Sequence, residues 1–522
     1  MAEYLAPGVY VEEVERGAAP LAGVSTSTAG FLGPTERGPT NPRLLTSFSD
    51  FRRLYGGYLE DSYLPTAVNG FFTNSGSRCF LGRVTAADET ADGELPDDSP
   101  GESGTGVVSV EALGPGQWGE HVALIVSNAS MHDMDEELFR LTVRYWADED
   151  ALEDANAGDA DPDDDDVPDP DVEEVYDDLS MERRSSNYVE KQVNGTSALI
   201  EVTVEEEGER PANSVDDDGT PTDPVWLEGS FDDDESPDVE DYTGSEDDDP
   251  EDRTGFAGFK QVPDISIVCI PDEAENEALT DELITHCETM DDRFAILQAE
   301  QSGVDIGSLM PPDDTDMAAF YYPWLKARNP DTGMVEEIPP GGHVAGIYAR
   351  SDAQHGVHKA PANEVIRGIS DIQRPVTQGD QEILNPRGVN CIRSFRGRGI
   401  RVWGARTASS NPQWKYINVR RLFLFLRGSI EQGTQWVVFE PNNEELWARV
   451  RQTIKNFLTD VWEDGALMGT TPEEAFFVKC DRSTMTQSDI DNGRLICEIG
   501  VAPTKPAEFV IFRISQWTSD AS

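Results

Sequence analysis

LPTAVNGFFTNSGSRCFLGRV (Leu64–Val84) changes period halfway along, and that change decides the fold class. In the first half the apolar Leu64, Val68, Phe71 and Phe72 recur at helical spacing. The second half, RCFLGRV (Arg78–Val84), is a short apolar run of the kind that forms a buried strand. Upstream, GVSTSTAGFLGP (Gly23–Pro34) reads as a strand of small and β-branched residues closed by Gly-Pro. Between them Ser49 is placed to cap a short helix, DFRRLYGG, with Phe51, Leu54 and Tyr55 on one side. Strand, helix and strand in this order make an α/β layer.

Working outward, the layer breaks off at Thr85. GVVSVEALGPGQWGEHVALIVS (Gly106–Ser127) alternates like two paired strands around a Gly-Pro-Gly turn, and LFRLTVRYW (Leu138–Trp146) and TSALIEVTV (Thr196–Val204) add two more. Two Asp-rich runs, ADEDALEDANAGDADPDDDDVPDPDVEE and FDDDESPDVEDYTGSEDDDPED, hold almost no apolar residues, so they are expected as solvated loops. The α/β pattern resumes at DISIVCIPD (Asp264–Asp272), followed by a Glu-rich helix and the strands RFAILQAE and AAFYYPWLK. Near Trp403 a last domain begins. YINVRRLFLFLRGSIEQG is a helix apolar on most sides and therefore buried. NNEELWARVRQTIKNFLTDVWEDG carries Leu446, Val450, Ile454, Phe457, Val461 and Trp462 as one stripe behind an Asn cap. Strands EAFFVKCD, GRLICEIGVAP and EFVIFRISQWT complete it.

The expected organisation is therefore an N-terminal arm strand (1–20), a discontinuous α/β core (21–86 and 257–400), an inserted acidic β-rich domain (87–256) and a C-terminal α+β domain (401–522) ending in an arm strand (508–518). Both arms raise the same question. PGVYVEEV near the start has no hairpin partner in sequence, and an isolated strand leaves its N–H and C=O groups without a ladder.

Charge is distributed unevenly. The chain of 522 residues has a formal net charge of −61, which argues against nucleic acid as a partner, because phosphate contacts need a basic surface. Residues 88–252 hold 55 acidic and 6 basic side chains, whereas residues 401–522 hold 15 and 14. The 40 basic residues divide into 32 arginines and 8 lysines. Excess acid with scarce lysine fits a protein working in molar salt, where screening shortens charge repulsion to a few ångströms. The other reading is a single acidic insertion in an ordinary host. No apolar run is long enough to span a membrane, and no secretory leader is visible. Cys79, Cys269, Cys287, Cys391, Cys480 and Cys497 form no CxxC pair and read as reduced thiols of a protein made in a cytoplasm.

Chemical motifs are few. No P-loop is present. FRGRGIRVWG lacks the GxGxxG spacing and reads as a tight strand connection. His343, His355 and His358 lie close in sequence without a patterned third ligand, so no metal site is expected, and SVDDDG lacks the alternating acids of a calcium loop. No nucleophile elbow or acid–base pair stands out, so neither an enzyme nor a cofactor is expected.

Several segments carry a resemblance. PGVYVEEV, GPTERGPTNP, GGHVAGIYARSDAQHGVHKAPAN, LNPRGVNCIRSFRGRGIRVWGARTAS, NVRRLFLFLRGSIEQGTQWVVFEPN, GALMGTTPEEAFFVKCD and APTKPAEFVIF, in that order, resemble the tail sheath proteins of contractile phage tails and contractile injection systems. GPGQWGEHVALIVS and VYDDLSMERRSSNYVEKQVNGTSALIEV resemble an extra β-rich domain that many of these proteins carry. The resemblance implies a mixed α/β and α+β multidomain sheath protein with a subtilisin-like α/β core that is not a protease. It implies a homo-oligomer of stacked six-membered rings around an inner tube protein, joined to baseplate and terminator or cap proteins, without nucleic acid or membrane insertion. The subunit would be assembled in a host cytoplasm and would contract to drive the tube through a target envelope.

The same resemblance answers the question of the arms: each subunit lends its terminal strands to sheets of its neighbours. Here those strands are Val9, Tyr10, Val11, Glu12, Glu13 and Val14, and Phe509, Val510, Ile511, Phe512, Arg513 and Ile514. Arg420, Arg421, Arg449, Arg451 and Lys455 are candidates for tube contact, set against the plainer role of an ion-paired helix face. Together with the salt-adapted composition, the expected source is a halophilic archaeon or its virus. A static surface-layer or capsid-type protein and an extracellular hydrolase are the rival readings.

Overall fold

The computed structural model describes residues 21–97, 106–132, 135–148, 151–152, 168–205, 209–215, 224–231, 236–246, 249 and 252–513. The chain divides into two compact units, one of residues 26–353 and 361–417, the other including residues 21–25, 354–360 and 418–513. The border at 417/418 lies a short way beyond the expected start of the C-terminal domain at 401.

In the larger unit the apolar runs become a nine-stranded sheet. Ala29–Gly33 (β1), Arg43–Leu45 (β2) and Cys79–Arg83 (β3) precede the insertion. Ile267–Cys269 (β11), Phe294–Gln298 (β12), Ala318–Tyr322 (β13), Glu364–Val365 (β16), Val389–Phe395 (β18) and Gly399–Val402 (β19) follow it. Their order is β16-β19-β18-β13-β12-β11-β1-β3-β2. The middle of the sheet, from β18 to β3, is parallel, with Gly30 opposite both Val268 and Phe80. β1, β12 and β13 are buried at every residue, as strands covered on both faces must be. AAFYYPWLK does not continue as one strand. Pro323 brings no N–H to a ladder, and Leu325–Arg328 (β14) turns into a separate sheet, paired with Val335–Ile338 (β15) and Asp371–Ile372 (β17).

Helices Phe48–Tyr55 (α1), Leu64–Thr73 (α2), Glu277–Met290 (α3) and Gly341–His355 (α4) belong to this layer. The cap of α1 is Ser47, not Ser49, because the Ser47 hydroxyl is the one in reach of the Asp50 N–H, at 3.1 Å. α2 and α4 meet through glycine: a Cβ on Gly342 would lie 2.2 Å from the Ala67 carbonyl, and one on Gly346 2.4 Å from that of Phe71. The GGHVAG run thus lets two backbones approach at a distance no side chain allows. α4 is tied to the sheet by the Tyr321 and Tyr348 hydroxyls, 2.7 Å apart.

The insertion forms two antiparallel sheets, and one expectation fails there. Asp92–Pro96 (β4), Gly106–Ala112 (β5) and Ile200–Val204 (β9) make one sheet. Val122–Asn128 (β6), Phe139–Tyr145 (β7), Val172–Leu179 (β8) and Val225–Trp226 (β10) make the other. β5 and β6 are therefore not partners. Gly114 and Gly116, at φ of 135° and 114°, and the 3-10 turn Gln117–His121 re-aim the chain from one sheet to the other. The two inner faces share one core, including Val108, Val110, Leu124, Phe139, Leu141 and Val143. This body is locked to the α/β layer: the buried Arg83 guanidinium donates to Pro115 O at 2.6 Å and Gly38 O at 3.2 Å, and Tyr145 Oη to Glu36 at 2.9 Å.

The second Asp-rich run is not wholly a solvated loop. Within it Asp238 and Asp241 form a capping box, and the short helix Val239–Thr243 buries Tyr242. One aromatic and a correctly spaced acid pair suffice to anchor this part of an otherwise polar stretch. None of the described helices is long and apolar enough to cross a membrane.

Candidate assembly surface

The smaller unit is built on two helices. Ile417–Gly433 (α5) is apolar on most sides, and Glu444–Glu463 (α6) follows the Asn443 cap, whose side chain accepts from the Leu446 N–H at 3.0 Å. The stripe expected on α6 is the buried one: Leu446, Val450, Ile454, Phe457 and Val461 lie in the core with Leu422 and Leu426 of α5, and Trp462 packs at its rim. Phe476–Lys479 (β20) and Glu498–Val501 (β21) add a two-stranded antiparallel sheet. Each strand of this sheet keeps an outer edge without a ladder partner among the described residues. A bare pair of strands is marginal in water, and an open edge is a template for another strand.

Beyond β21 the Thr504 N–H donates to Ala466 O and its hydroxyl donates to Gly465 O, both at 3.0 Å. From Lys505 to Arg513 the chain takes no regular secondary structure. The side chains of Phe509, Val510, Ile511 and Phe512 are 73, 67, 78 and 84% exposed. The expected strand thus pairs with no strand among the described residues. Burial of four such residues elsewhere is worth several kcal/mol. Nine of the sixteen exposed large apolar residues among those described, Val438, Phe439, Met468, Phe477 and Ile496 included, belong to this smaller unit. Val9–Val14, where a strand is expected, and Ile514 lie outside the described residues.

The basic candidates separate. Arg449 and Lys455 are exposed on α6; Arg449 stacks on Trp436 at 4.5 Å and reaches Glu440 at 3.6 Å. Arg451 donates to Cys480 O at 3.0 Å. Arg420 is half-buried, whereas Arg421 is only 3% exposed, so Arg421 offers no outward charge. Helical periodicity missed this because α5 is apolar on more than one side.

Titratable groups elsewhere serve the fold. Asp272, just past β11, accepts from the Tyr63 N–H at 2.8 Å and the Ser62 hydroxyl at 3.2 Å, so it caps α2 from another element. Glu273 accepts from the Thr280 hydroxyl at 2.5 Å and the Gln298 N–H at 2.8 Å. Burial raises them to about 6 and about 7. Nothing in the sequence separates these two from the other acidic residues. His343 is buried against Gly70 and pulled down to about 4 by that burial, while His355 and His358 fall in the segment 354–360 of the other unit. Among the described residues no group of three His, Cys, Asp or Glu side chains could hold a metal ion. The six cysteines are free thiols, five of them buried.

The larger unit is thus a parallel-sheet body with a β-rich insertion, and the smaller unit carries an exposed apolar run at 509–512. The fold is shared with contractile sheaths. The helical sheath of the anti-feeding prophage in its contracted state superposes with a TM-score of 0.58 at 22% identity, over 98% of this chain and 99% of that one. A sheath tail protein from Listeria innocua gives 0.58 at 12% identity, over 93 and 96%. Residues 255–408 match the phage tail sheath protein central domain and residues 409–516 the phage tail sheath C-terminal domain, together half of the chain. The chain belongs to the phage tail sheath family. A putative prophage major tail sheath protein of Pseudomonas aeruginosa is 27% identical over 237 residues, 41% of this chain and 59% of that protein. The tail sheath protein of Burkholderia phage BcepMu is 27% identical over 164 residues, 30 and 34% of the two chains. The chain thus covers less than two thirds of either relative.

Proposed function

We propose that this chain is the sheath subunit of a contractile tail or contractile injection particle. Copies stack as six-membered rings around an inner tube, held to a baseplate at one end and a terminator or cap protein at the other. The extended stack collapses to a shorter, wider one and drives the tube through a target envelope. The observation that carries this reading is the run Phe509–Phe512, four exposed apolar residues that join no strand among the described residues, in a chain whose two-stranded sheet keeps open edges. Addition of that run to a sheet of a neighbouring copy is β-augmentation: ladder bonds give affinity and alternate side chains set register. Val9–Val14 would be lent in the same way. The energy of contraction is stored in subunit interfaces, so the transition is a bistable repacking passed from ring to ring without a nucleotide.

Arg420, Arg449, Arg451 and Lys455 remain candidates for the tube-facing side; the burial of Arg421 removes it from that set. The near-neutral C-terminal region would line the inside and the acidic insertion the outside. The composition, −61 with 8 lysines, supports work at high ionic strength and a source in a halophilic archaeon or its virus. Assembly would take place in the host cytoplasm. Negative-stain microscopy of the purified full chain across a range of potassium chloride concentrations tests the reading. Hollow cylinders that form best in molar salt are expected. Flat lattices would point to a static surface layer, and a dispersed monomer at every salt concentration would refute polymerisation.

A further inference from the structure

RSFRGRGIRVWGAR (Arg393–Arg406) holds five arginines and no carboxylate, in a chain with 101 acidic against 40 basic residues. The structure folds it into the β18–β19 hairpin, with Arg393 opposite Arg401 and Phe395 opposite Gly399. Gly397 and Gly399, at φ of 74° and 76°, close the turn, and Arg396 and Arg398 stand exposed at its tip. Phe395 and Trp403 pack with ring centroids 4.5 Å apart and planes tilted by 54°. Arg398 lies over both, at 5.6 and 5.8 Å, and Arg393 lies over Phe395 at 5.3 Å.

The hydrogen bonds of Arg393, Arg398 and Arg401 go to neutral acceptors. Arg398 donates to Asn363 Oδ1 at 3.1 Å, and Arg401 donates to Asn363 O at 2.6 Å and Arg398 O at 2.9 Å. Arg393 donates to Val376 O at 3.1 Å and Gln381 Oε1 at 2.8 Å. None of Arg393, Arg396, Arg398 and Arg401 forms an ion pair with a carboxylate among the described residues. Elsewhere the opposite is the habit: Arg52, Arg78, Arg140, Arg144, Arg350 and Arg482 each lie against one. Of the acids on the neighbouring elements, Glu364 lies 3.7 Å from Arg350, and Asp380, which accepts from the Thr377 hydroxyl at 2.8 Å, is within electrostatic reach of Arg393 at the base of the hairpin, not of Arg396 and Arg398 at its tip.

We propose that the tip of the β18–β19 hairpin is a docking site for an acidic surface on a second copy of this chain. Ring stacking and neutral carbonyls hold the guanidinium forks in place without cancelling their charge, so little order is lost when carboxylates arrive. Every copy presents acidic surface in abundance, and a cationic contact repeated at each interface offsets the repulsion between subunits of like charge. Nucleic acid is the poorer partner, since its phosphates would approach a strongly acidic body. The inference rests on the reading of the chain as a polymer subunit.

Arg398→Lys places an amine at the tip that carbodiimide couples to a carboxylate within reach; arginine itself does not react. The full chain is prepared as light and heavy isotopic copies, mixed, assembled and cross-linked, and peptides joined to the introduced amine are identified by mass spectrometry. Links from that amine to Asp or Glu of the other isotope are expected. In parallel, Arg396→Glu/Arg398→Glu should cut cylinder yield at least tenfold at low salt with an unchanged melting temperature. Links confined to the same copy, retention of added DNA at the hairpin, or full cylinder yield from the double variant would each overturn the docking site while wild-type cylinders leave the sheath reading intact. If the wild type forms no cylinders, both fall together.

Discussion

Phe512→Ala distinguishes a tail that serves the monomer from one that serves the assembly. In the free chain Phe512 is 84% exposed, so truncation removes almost no buried area, and the expected change in monomer stability is within about 0.5 kcal/mol. Docked on a neighbouring sheet, the same ring lies on the Val510–Phe512–Ile514 face, which is uniformly apolar and would be the buried one. Loss of a buried phenylalanine costs about 3 kcal/mol or more, and with each 1.4 kcal/mol worth a factor of ten this is roughly a hundredfold weakening per docked strand. Differential scanning fluorimetry reads the first quantity; sedimentation and negative-stain counts of cylinders read the second. An unchanged melting temperature with cylinder formation displaced to much higher protein concentration is expected. A melting temperature lowered by several degrees with normal cylinders would refute the reasoning, because it would mean that the strand docks in its own unit.

Glu273 retains its proton to about pH 7 when folded, whereas an unfolded glutamate releases it near 4.5. The folded state therefore binds more protons than the unfolded one between these limits, and stability falls as pH rises through that window, by about 3 kcal/mol. Glu273→Gln removes this titration, so urea midpoints should decline less between pH 4.5 and 7, with the variant ahead of wild type at pH 8. Gly346→Ala forces a Cβ to within 2.4 Å of the Phe71 carbonyl and should cost about 2 kcal/mol, read as a lowered melting temperature. Gly428→Ala, also in a helix but only 3.4 Å from Val24, should be neutral or stabilising by up to about 1 kcal/mol. Tyr242→Ala, in the second Asp-rich run, should lower stability by about 3 kcal/mol, whereas deletion of 153–167 from the first run should alter solubility against salt and leave the melting temperature in place; a melting temperature lowered as much by the deletion would show that the first run also contributes to the fold.

Elements whose signal is local were legible in the sequence. The helical spacing of Leu64, Val68 and Phe71, the unbroken apolar runs at β11, β12 and β13, and the Asn443 cap each fix conformation from within a few residues. What depends on partners was not. β5 and β6 each alternate as strands should, but nothing in either says that they join different sheets, since the decision is made by backbone angles at Gly114 and Gly116. Arg421 is buried because α5 is enclosed on more than one side, a property of its neighbours. Asp272 and Glu273 are set apart by the desolvation of their carboxyl groups, which the sequence does not mark. Tyr242 was hidden by the polar residues around it. The run at 509–513 is the inverse case: its pattern is that of a strand, and no strand among the described residues pairs with it.

That unfinished tail sets a time limit on the free subunit. FVIF is short, β-prone and uncharged, the type of segment that nucleates fibrils when left in solution. Glu508 and Arg513 bracket it as charged gatekeepers, and the acidity of the whole molecule keeps copies apart. Screening by salt weakens both guards at once. A cell making this protein would then face a race between ordered growth on an existing end and disordered clumping of unincorporated chains. The outcome would turn on how quickly nucleation sites appear relative to synthesis.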